Sequence, residues 1–489
     1  MRKQTPSYIA EYQLTPVQQD GFAVLYHAEH EAHRVYCMCL KEALTRLHKA
    51  RHDKKYKTLC DQLALAKKDK GQVMAIRIQI AEHYRSYGYS EYALHAYVAE
   101  HCRKYVNLGI DEKQKLATRA FRAVEKIRKG DAKRVRFPRS WESVSFEGKS
   151  CRSKLHLKTG EHVVCFGRKY QFELMVKPTD EYAMLCMMDR CKYVRILKRK
   201  IRGKDKWYAQ LVMEGMPPSK KRKMGEGTVG LDIGTSTIAI SSDSTVELHE
   251  LAPQCRTDER KIRRLQRAID RSKRAMNPDN YNTNGTVKKG RHVWKKSKRY
   301  VRLQNRLSEM QRKAAVHRKQ AHEALANYIV AMGDDIRVEQ MQMQGLASRS
   351  KQTTRNAENG KIKSKKRYGR TIGIRAPSML VEAINRKLGY HGKQIVKVNT
   401  CTVKASQYNP LDGTYKRKDL KDRLIQLDEN TCVQRDMLSA YLVQHTNSTY
   451  DLIDSDSAYN DFPHFKTLQD TELRRLEKEK ALSWYISAH

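Results

Sequence analysis

The pattern of apolar and polar positions divides the chain into three textures. An alternating run over 8–14 predicts an opening strand. From there to about residue 130 the chain is rich in Ala, Leu, Lys, Glu and His and poor in Gly and Pro, a composition that favours helix. Apolar residues recur on a helical period over 24–47, and 113–128 reads as an amphipathic basic helix. From Arg134 the texture changes to short β-branched or aromatic runs at 144–146, 154–157, 162–166, 170–176, 193–197 and 207–213, separated by Gly, Asp and Lys. These predict a small antiparallel barrel or sheet. PPSKKRKMGEG, 217–227, joins proline and glycine to four cations and predicts a linker. Beyond it strand and helix signals alternate. Runs at 228–233 and 237–241 form a hairpin-like pair, 336–339 and 395–398 are further strands, and two long helices lie between. Ile262, Leu265 and Ile269 mark one face of the first helix; Leu303, Leu307, Met310 and Ala314 mark the second, which continues toward Leu325 and Ile329. The expected fold class is multidomain α+β.

Charge changes this picture most. The 489 residues include 97 Lys plus Arg against 54 Asp plus Glu, a formal charge of +43, far more than solubility needs and of the sign that attracts a phosphate backbone. A basic ribosome-associated or membrane-surface protein would share that composition. The excess is concentrated: 257–320 holds 21 Lys or Arg against 5 Asp or Glu, on the outer faces of the two long helices. Arg263, Arg264, Arg267, Lys295, Lys296, Lys298 and Arg299 are therefore candidate nucleic-acid contacts, as are Lys365, Lys366 and Arg367 in the basic stretch 349–370, which has nine cations and one acid. No apolar run approaches the ~20 residues of a membrane span, and the first residues lack the apolar core of a signal peptide. The protein is expected to work on nucleic acid in the cytoplasm or nucleoid of a prokaryote, away from membranes. Eleven cysteines are scattered; the Cys37/Cys39 and Cys186/Cys191 spacings have no second pair to complete a zinc site, so reduced thiols and no zinc are expected.

Three carboxylates sit where an unpartnered charge is expensive. Asp232 interrupts the apolar strand VGLDIGTSTIAI, with Gly234, Thr235 and Ser236 leaving room for a close approach. Glu339 ends the strand DDIRVEQ, and Asp436 opens the apolar helix in VQRDMLSAYLV. A few carboxylates, with water and phosphate oxygens, suit two Mg²⁺ or Mn²⁺ ions about 4 Å apart, the arrangement that activates water and stabilises a leaving oxygen. Each acid alone also reads as a helix cap, a surface Glu or a turn Asp; the order and setting of all three on an α/β background are more specific.

VGLDIGTSTIAI resembles the first RuvC motif of TnpB proteins and type V CRISPR effectors, DDIRVEQMQMQGL the second and VQRDMLSAYL the third. ERKIRRLQRAIDR, RKQAHEALANYIV and KWYAQLVME follow the same family's pattern, so the resemblance covers 206 to about 445. It implies an RNase H-like (RuvC) nuclease domain over 228–489, with Asp232, Glu339 and Asp436 as catalytic metal ligands, a basic helical insertion (257–330) and a lid loop (345–372). It further implies a β-barrel wedge domain (1–15 and 133–218) interrupted by a helical recognition lobe (16–132), and a linker at 219–227. The partners implied are a guide RNA, from a transposon end or a CRISPR array, and double-stranded target DNA, with the chain acting as a monomer or a homodimer. A repressor that has lost cleavage and an unguided RuvC-like nuclease or transposase are the alternatives.

The sequence departs from the family in one place. Ser406 and Gln407 are followed by YNPLDGTYKRKDLKDR and the isolated Cys432, where members commonly carry two C-x-x-C pairs, and Leu438 replaces the usual Asn. Either a zinc-free insertion over 402–432 folds on its own packing, with Tyr408, Tyr415 and Leu420 as candidate core, or the nuclease is impaired; the three intact acids favour an active enzyme. The tail after about 446 has no assigned role beyond capping the domain.

Overall fold

The computed structural model describes residues 6–66, 69–138, 144–158, 161–218, 224–256, 259–356, 360, 362, 365, 368–417 and 422–486. The chain divides into two compact units, Met1–Lys220 and Lys221–His489.

In the first unit, β1 (Ser7–Pro16) is followed by five helices, α1 (Gly21–His52), α2 (Lys54–Leu65), α3 (Lys70–Ser86), α4 (Glu91–His101) and α5 (Ile110–Lys129). Then come β2 (Phe146–Glu147), β3 (Leu155–Leu157), β4 (Val163–Phe166), β5 (Tyr170–Leu174), α6 (Glu181–Met188), β6 (Cys191–Ile201) and β7 (Lys204–Glu214). β1 alternates as its sequence does, with Tyr8, Ala10, Tyr12 and Leu14 buried and Ser7, Ile9 and Glu11 outward. It pairs antiparallel with β7 on one side and β5 on the other, in a seven-stranded sheet of order β2-β6-β7-β1-β5-β4-β3. The end strand β3 comes back against β6, so the sheet nearly closes into a barrel around Phe146, Phe166, Phe172 and Trp207. α1 buries Leu25, Ala28, Ala32, Val35, Cys39, Ala43 and Leu47, a stripe at helical spacing that packs on α5. Helix α6 was not anticipated. Its sequence, EYAMLCMM, has no apolar period to announce it, and the element is set by Asp180, whose carboxylate accepts from Ala183 N at 3.1 Å.

The second unit begins with β8 (Thr228–Ile233), β9 (Thr237–Ser241) and β10 (Val246–Glu250), then the basic helices α7 (Glu259–Ala275) and α8 (Lys298–Met332). β11 (Asp335–Glu339), α9 (Met343–Ala347), α10 (Gly369–Arg375), α11 (Pro377–Tyr390), β12 (Val396–Val398) and α12 (Thr400–Val403) follow. β13 (Leu424–Gln426), β14 (Cys432–Gln434), α13 (Arg435–Gln444), α14 (Ser455–Asn460), α15 (Phe462–Lys478) and α16 (Ser483–Ile486) complete it. The sheet order is β10-β9-β8-β11-β12: the first three strands are antiparallel, while β11 runs parallel to both β8 and β12. One buried cluster joins Val229, Leu231 and Ile233 to Ile329 of α8 and Ile384 of α11. The other joins Ala239, Leu248 and Val398 to α13, to Tyr408, Ile425 and Val433, and to Phe462, Phe465 and Leu476 of the tail.

Three expectations need correction. Residues 224–227 are not a linker: Met224 packs against a core cluster, Gly225 N donates to Val330 O at 2.9 Å, and a Cβ on Gly225 would lie 2.4 Å from Ala331 O. Gly225 is required for close approach, while Gly227, at φ +113°, uses glycine's conformational freedom; 219–223 lie outside the described residues. The stretch 345–372 is not all loop, since α9 overlaps its start and α10 its end, and Arg355 bridges Ile362. In the insertion Tyr408 is buried and its hydroxyl donates to Ser455 Oγ at 2.9 Å, but Tyr415 is exposed, its ring 5.0 Å from that of Tyr408. Ile425 and Val433 on the β13–β14 hairpin take the core place, and Leu420 lies outside the described residues. Among the described residues no helix is long and apolar enough to cross a membrane.

Candidate active site

The site is built from close backbone approach. A Cβ on Gly230 would lie 2.0 Å from Ala440 O and 2.5 Å from Gln444 N, so only glycine lets α13 lie directly on β8. From Ala440 back to Asp436 is one helical turn of about 6 Å. From Gly230 on to Asp232 is two strand residues, again about 6 Å. The stacking thus carries the helix acid toward the strand acid. On the other side of β8, Val338 is in register with Leu231, and the next residue of that parallel ladder is Glu339, which is itself opposite Val398. Strand alternation sends Leu231 and Ile233 into the core, and Asp232 to the other face.

The electrostatics bear this out. Burial holds the Asp232 carboxyl well above the ordinary carboxylate range; the charges of Asp436 and Glu339 push it further, and Arg435 and Arg423 partly offset them. Burial also raises Glu339. The three acids predicted from sequence are therefore brought together by three different elements.

Asp436 sits in the first turn of α13, where the helix dipole favours a carboxylate. Arg435 donates to its Oδ1 from Nε at 3.2 Å and Nη2 at 3.1 Å. Its Oδ2 accepts from Tyr485 Oη at 2.7 Å and Gln434 Nε2 at 3.3 Å, with Arg423 Nη1 at 3.6 Å. Arg423 also donates to Tyr485 Oη at 2.8 Å and lies 4.1 Å from its ring centroid. Burial, then the Asp436 charge, raises the Tyr485 phenol. Gln434 is fixed in turn: its side chain accepts from Met437 N at 2.7 Å, and its own N–H donates to Gln469 of α15 at 2.8 Å. The tail does more than cap the unit, since α15 and α16 together orient the helix acid.

Arg423, Gln434 and Tyr485 are contacts that the sequence reading missed. Gln434 and Arg435 stand beside Asp436 in the sequence, but Arg423 and Tyr485 come from other segments and carry no local signal. The predicted basic residues sit elsewhere. Arg263, Arg264 and Arg267 are exposed on α7, Lys295, Lys296, Lys298 and Arg299 are exposed at the start of α8, and Lys365 is exposed. Lys366 and Arg367 lie outside the described residues.

Hard oxygen donors under mutual repulsion are the chemistry that suits a divalent cation. Among the described residues, however, no three His, Cys, Asp or Glu side chains are posed to enclose one. Both Asp436 oxygens are engaged by protein donors.

No protein-family model and no curated protein matches the chain. Among solved structures it is similar to a chain of a Cas12f1–sgRNA–target DNA complex, at 11% identity over 90% of this chain and 98% of that one, with a TM-score of 0.45. It is also similar to one from a CRISPR-Cas12f ternary complex, at 11% identity over 88% and 82%, with a TM-score of 0.27.

Proposed function

We propose that the chain is an RNA-guided DNA endonuclease of the TnpB and type V CRISPR effector kind, cutting phosphodiesters at Asp232, Glu339 and Asp436. The observation that carries this reading is the convergence of β8, β11 and α13, each bearing one of the three acids in the order of the motifs, through the register of β11 beside β8 and the seating of α13 on Gly230. The strand order β10-β9-β8-β11-β12 is the arrangement expected of an RNase H-like domain, which supports it. A formal charge of +43 suits a protein whose partners are a guide RNA and a DNA duplex. In this reading the barrel and helices of the first unit grip the guide and recognise a short duplex motif, and base pairing supplies sequence specificity.

In this reading Asp232, Glu339 and Asp436 would hold Mg²⁺ or Mn²⁺ only once Asp436 turns from the protein donors that engage it here. When bound, such ions supply Lewis-acid stabilisation of the phosphoryl oxygens and a water acidic enough to attack. Asp436 is oriented by Gln434 and Tyr485. Arg423 and Arg435 offset negative charge at the site and present guanidinium donors suited to phosphate oxygens. Leu231 and Ile233 keep the back of β8 dry, which strengthens every charge interaction at Asp232.

A binding-only reading, a guided repressor, is favoured by one observation: the Asp436 oxygens are already engaged by Arg435, Tyr485 and Gln434. One experiment separates the two. The chain is expressed with its native flanking DNA, the RNA that copurifies is sequenced, and single-turnover cleavage of a matched target is measured with Mg²⁺. A discrete RNA with Mg²⁺-dependent cutting supports the endonuclease, and a discrete RNA with binding alone supports the repressor. Only random RNA with structure-selective cutting would leave an unguided nuclease.

A further inference from the structure

The connection between α7 and α8 is a built feature that the active site does not use. Asn277 is buried and acts as a staple: its Nδ2 donates to Lys273 O at 2.8 Å and Lys295 O at 2.9 Å, and its Oδ1 accepts from Lys295 N at 2.7 Å. Ser272 Oγ and Ser297 Oγ meet at 2.9 Å. The loop between is pinned by a bridge from Tyr281 to Val287 and by Asn280 Nδ2 donating to Val293 O at 2.9 Å. Trp294 is wedged edge-on between Tyr281, at 5.7 Å, and His292, at 6.1 Å, and the Lys273 ammonium lies 3.7 Å from its ring centroid. Beside that ring is a cavity of about 170 Å³ lined by Lys273, Trp294, Lys295, Lys296 and Tyr300.

The charges around this cavity run against the helix they adjoin. α8 starts at Lys298 behind the cap Ser297, and its first turn contains no acid. Lys295, Lys296, Lys298 and Arg299 instead crowd the positive end of the helix dipole, where cations are disfavoured and anions favoured. The nearby Asp270 is taken by Arg274 at 2.9 Å. The cavity is lined by three lysines, an indole and a phenol, a set whose chemistry suits an anion held beside a flat apolar surface.

We infer that this cavity is a binding site for a backbone phosphodiester of a nucleic-acid strand, with the three lysines taking the phosphate oxygens and Trp294 supporting the adjoining sugar. The inference rests on the nucleic-acid reading above and adds a defined anchor to it, one that positions a strand without reading its bases. A preformed anchor on a stapled loop needs little ordering on binding, unlike isolated surface lysines.

The test uses the full chain with two fluorescein-labelled 20-base-pair probes, an RNA duplex and a DNA duplex, titrated by anisotropy across a range of salt. Tryptophan emission is recorded at saturation. The triple variant Lys273→Gln, Lys295→Gln, Lys296→Gln should bind roughly tenfold more weakly at 0.1 M salt and lower the salt slope by at least about 1. Binding should change the wild-type emission, and most of that change should be absent in Trp294→Phe, which retains the cations. An effect confined to the RNA probe assigns the anchor to the guide, one confined to DNA assigns it to the target, and either supports the site. If wild type and triple variant share one slope and Trp294 contributes nothing to the emission change, the anchor is overturned while the nucleic-acid reading stands. If the wild type binds neither probe, both fall.

Discussion

The two units handle buried charge in opposite ways. In the first, Lys198 and Glu29 are both almost completely buried, but they face each other at 2.8 Å. Asp205 lies 3.8 Å from the same ammonium, and the rings of Tyr26 and Trp207 flank it with centroids at 4.5 and 5.5 Å. The charge is settled inside the fold. In the second unit three acids of one sign share a site, and Arg423 and Arg435 offset them only in part. A fold that gathers like charges at a cost to itself is built to meet something of the opposite sign. The first arrangement is neutralised from within, and the second is not.

Substitutions break the comparison in order of size. Asp232→Ala should reduce single-turnover cleavage at least about a thousandfold, and chelation of divalent ions should do the same to the wild type. Cleavage that survives both would remove the second unit from the chemistry. Glu29→Gln leaves the buried Lys198 ammonium with Asp205, 3.8 Å away, as its remaining countercharge and should cost about 3 kcal/mol in chemical denaturation of the first unit. Asp232→Asn should have the opposite sign: without divalent ions the second unit gains about 1 kcal/mol, because like-charge repulsion is removed. If both variants destabilise alike, the distinction between the units fails. Tyr485→Phe keeps the ring against Arg423 and removes one hydrogen bond to Asp436, so cleavage should slow about tenfold with the fold intact. An unchanged rate would reduce the tail to packing.

The smallest effect belongs to Glu112, buried in the first turn of α5 and accepting from Leu155 N at 2.9 Å. Burial raises its carboxyl above the ordinary 4.5. The folded state therefore holds the proton more tightly than the unfolded chain, and stability falls as pH rises from 4.5 through the raised value. Glu112→Gln should match the wild type in acid and exceed it at neutral pH, as read from melting temperature against pH.

Legibility from sequence followed range. The strand carrying Asp232, the strand ending in Glu339 and the helix opening at Asp436 could be read because each is a short apolar pattern with one discordant residue. Their convergence could not be derived from spacing; it depends on Gly230 admitting α13 and on the register of β11 with β8. The stretch 224–227 was misread because glycine beside proline and lysine signals a turn as readily as a close packing contact. Tyr415 and Tyr408 are equivalent in sequence, and only the hairpin beneath them decides which is covered. Arg423 and Tyr485 had no pattern to betray them, because their partner is each other and an acid in a separate segment.

The position of α16 has a practical side. Tyr485 lies one residue before the end of that helix and is bonded to Asp436. A fluorescent label or effector attached just past Ile486 would therefore be leashed within a few residues of the carboxylate it should leave undisturbed.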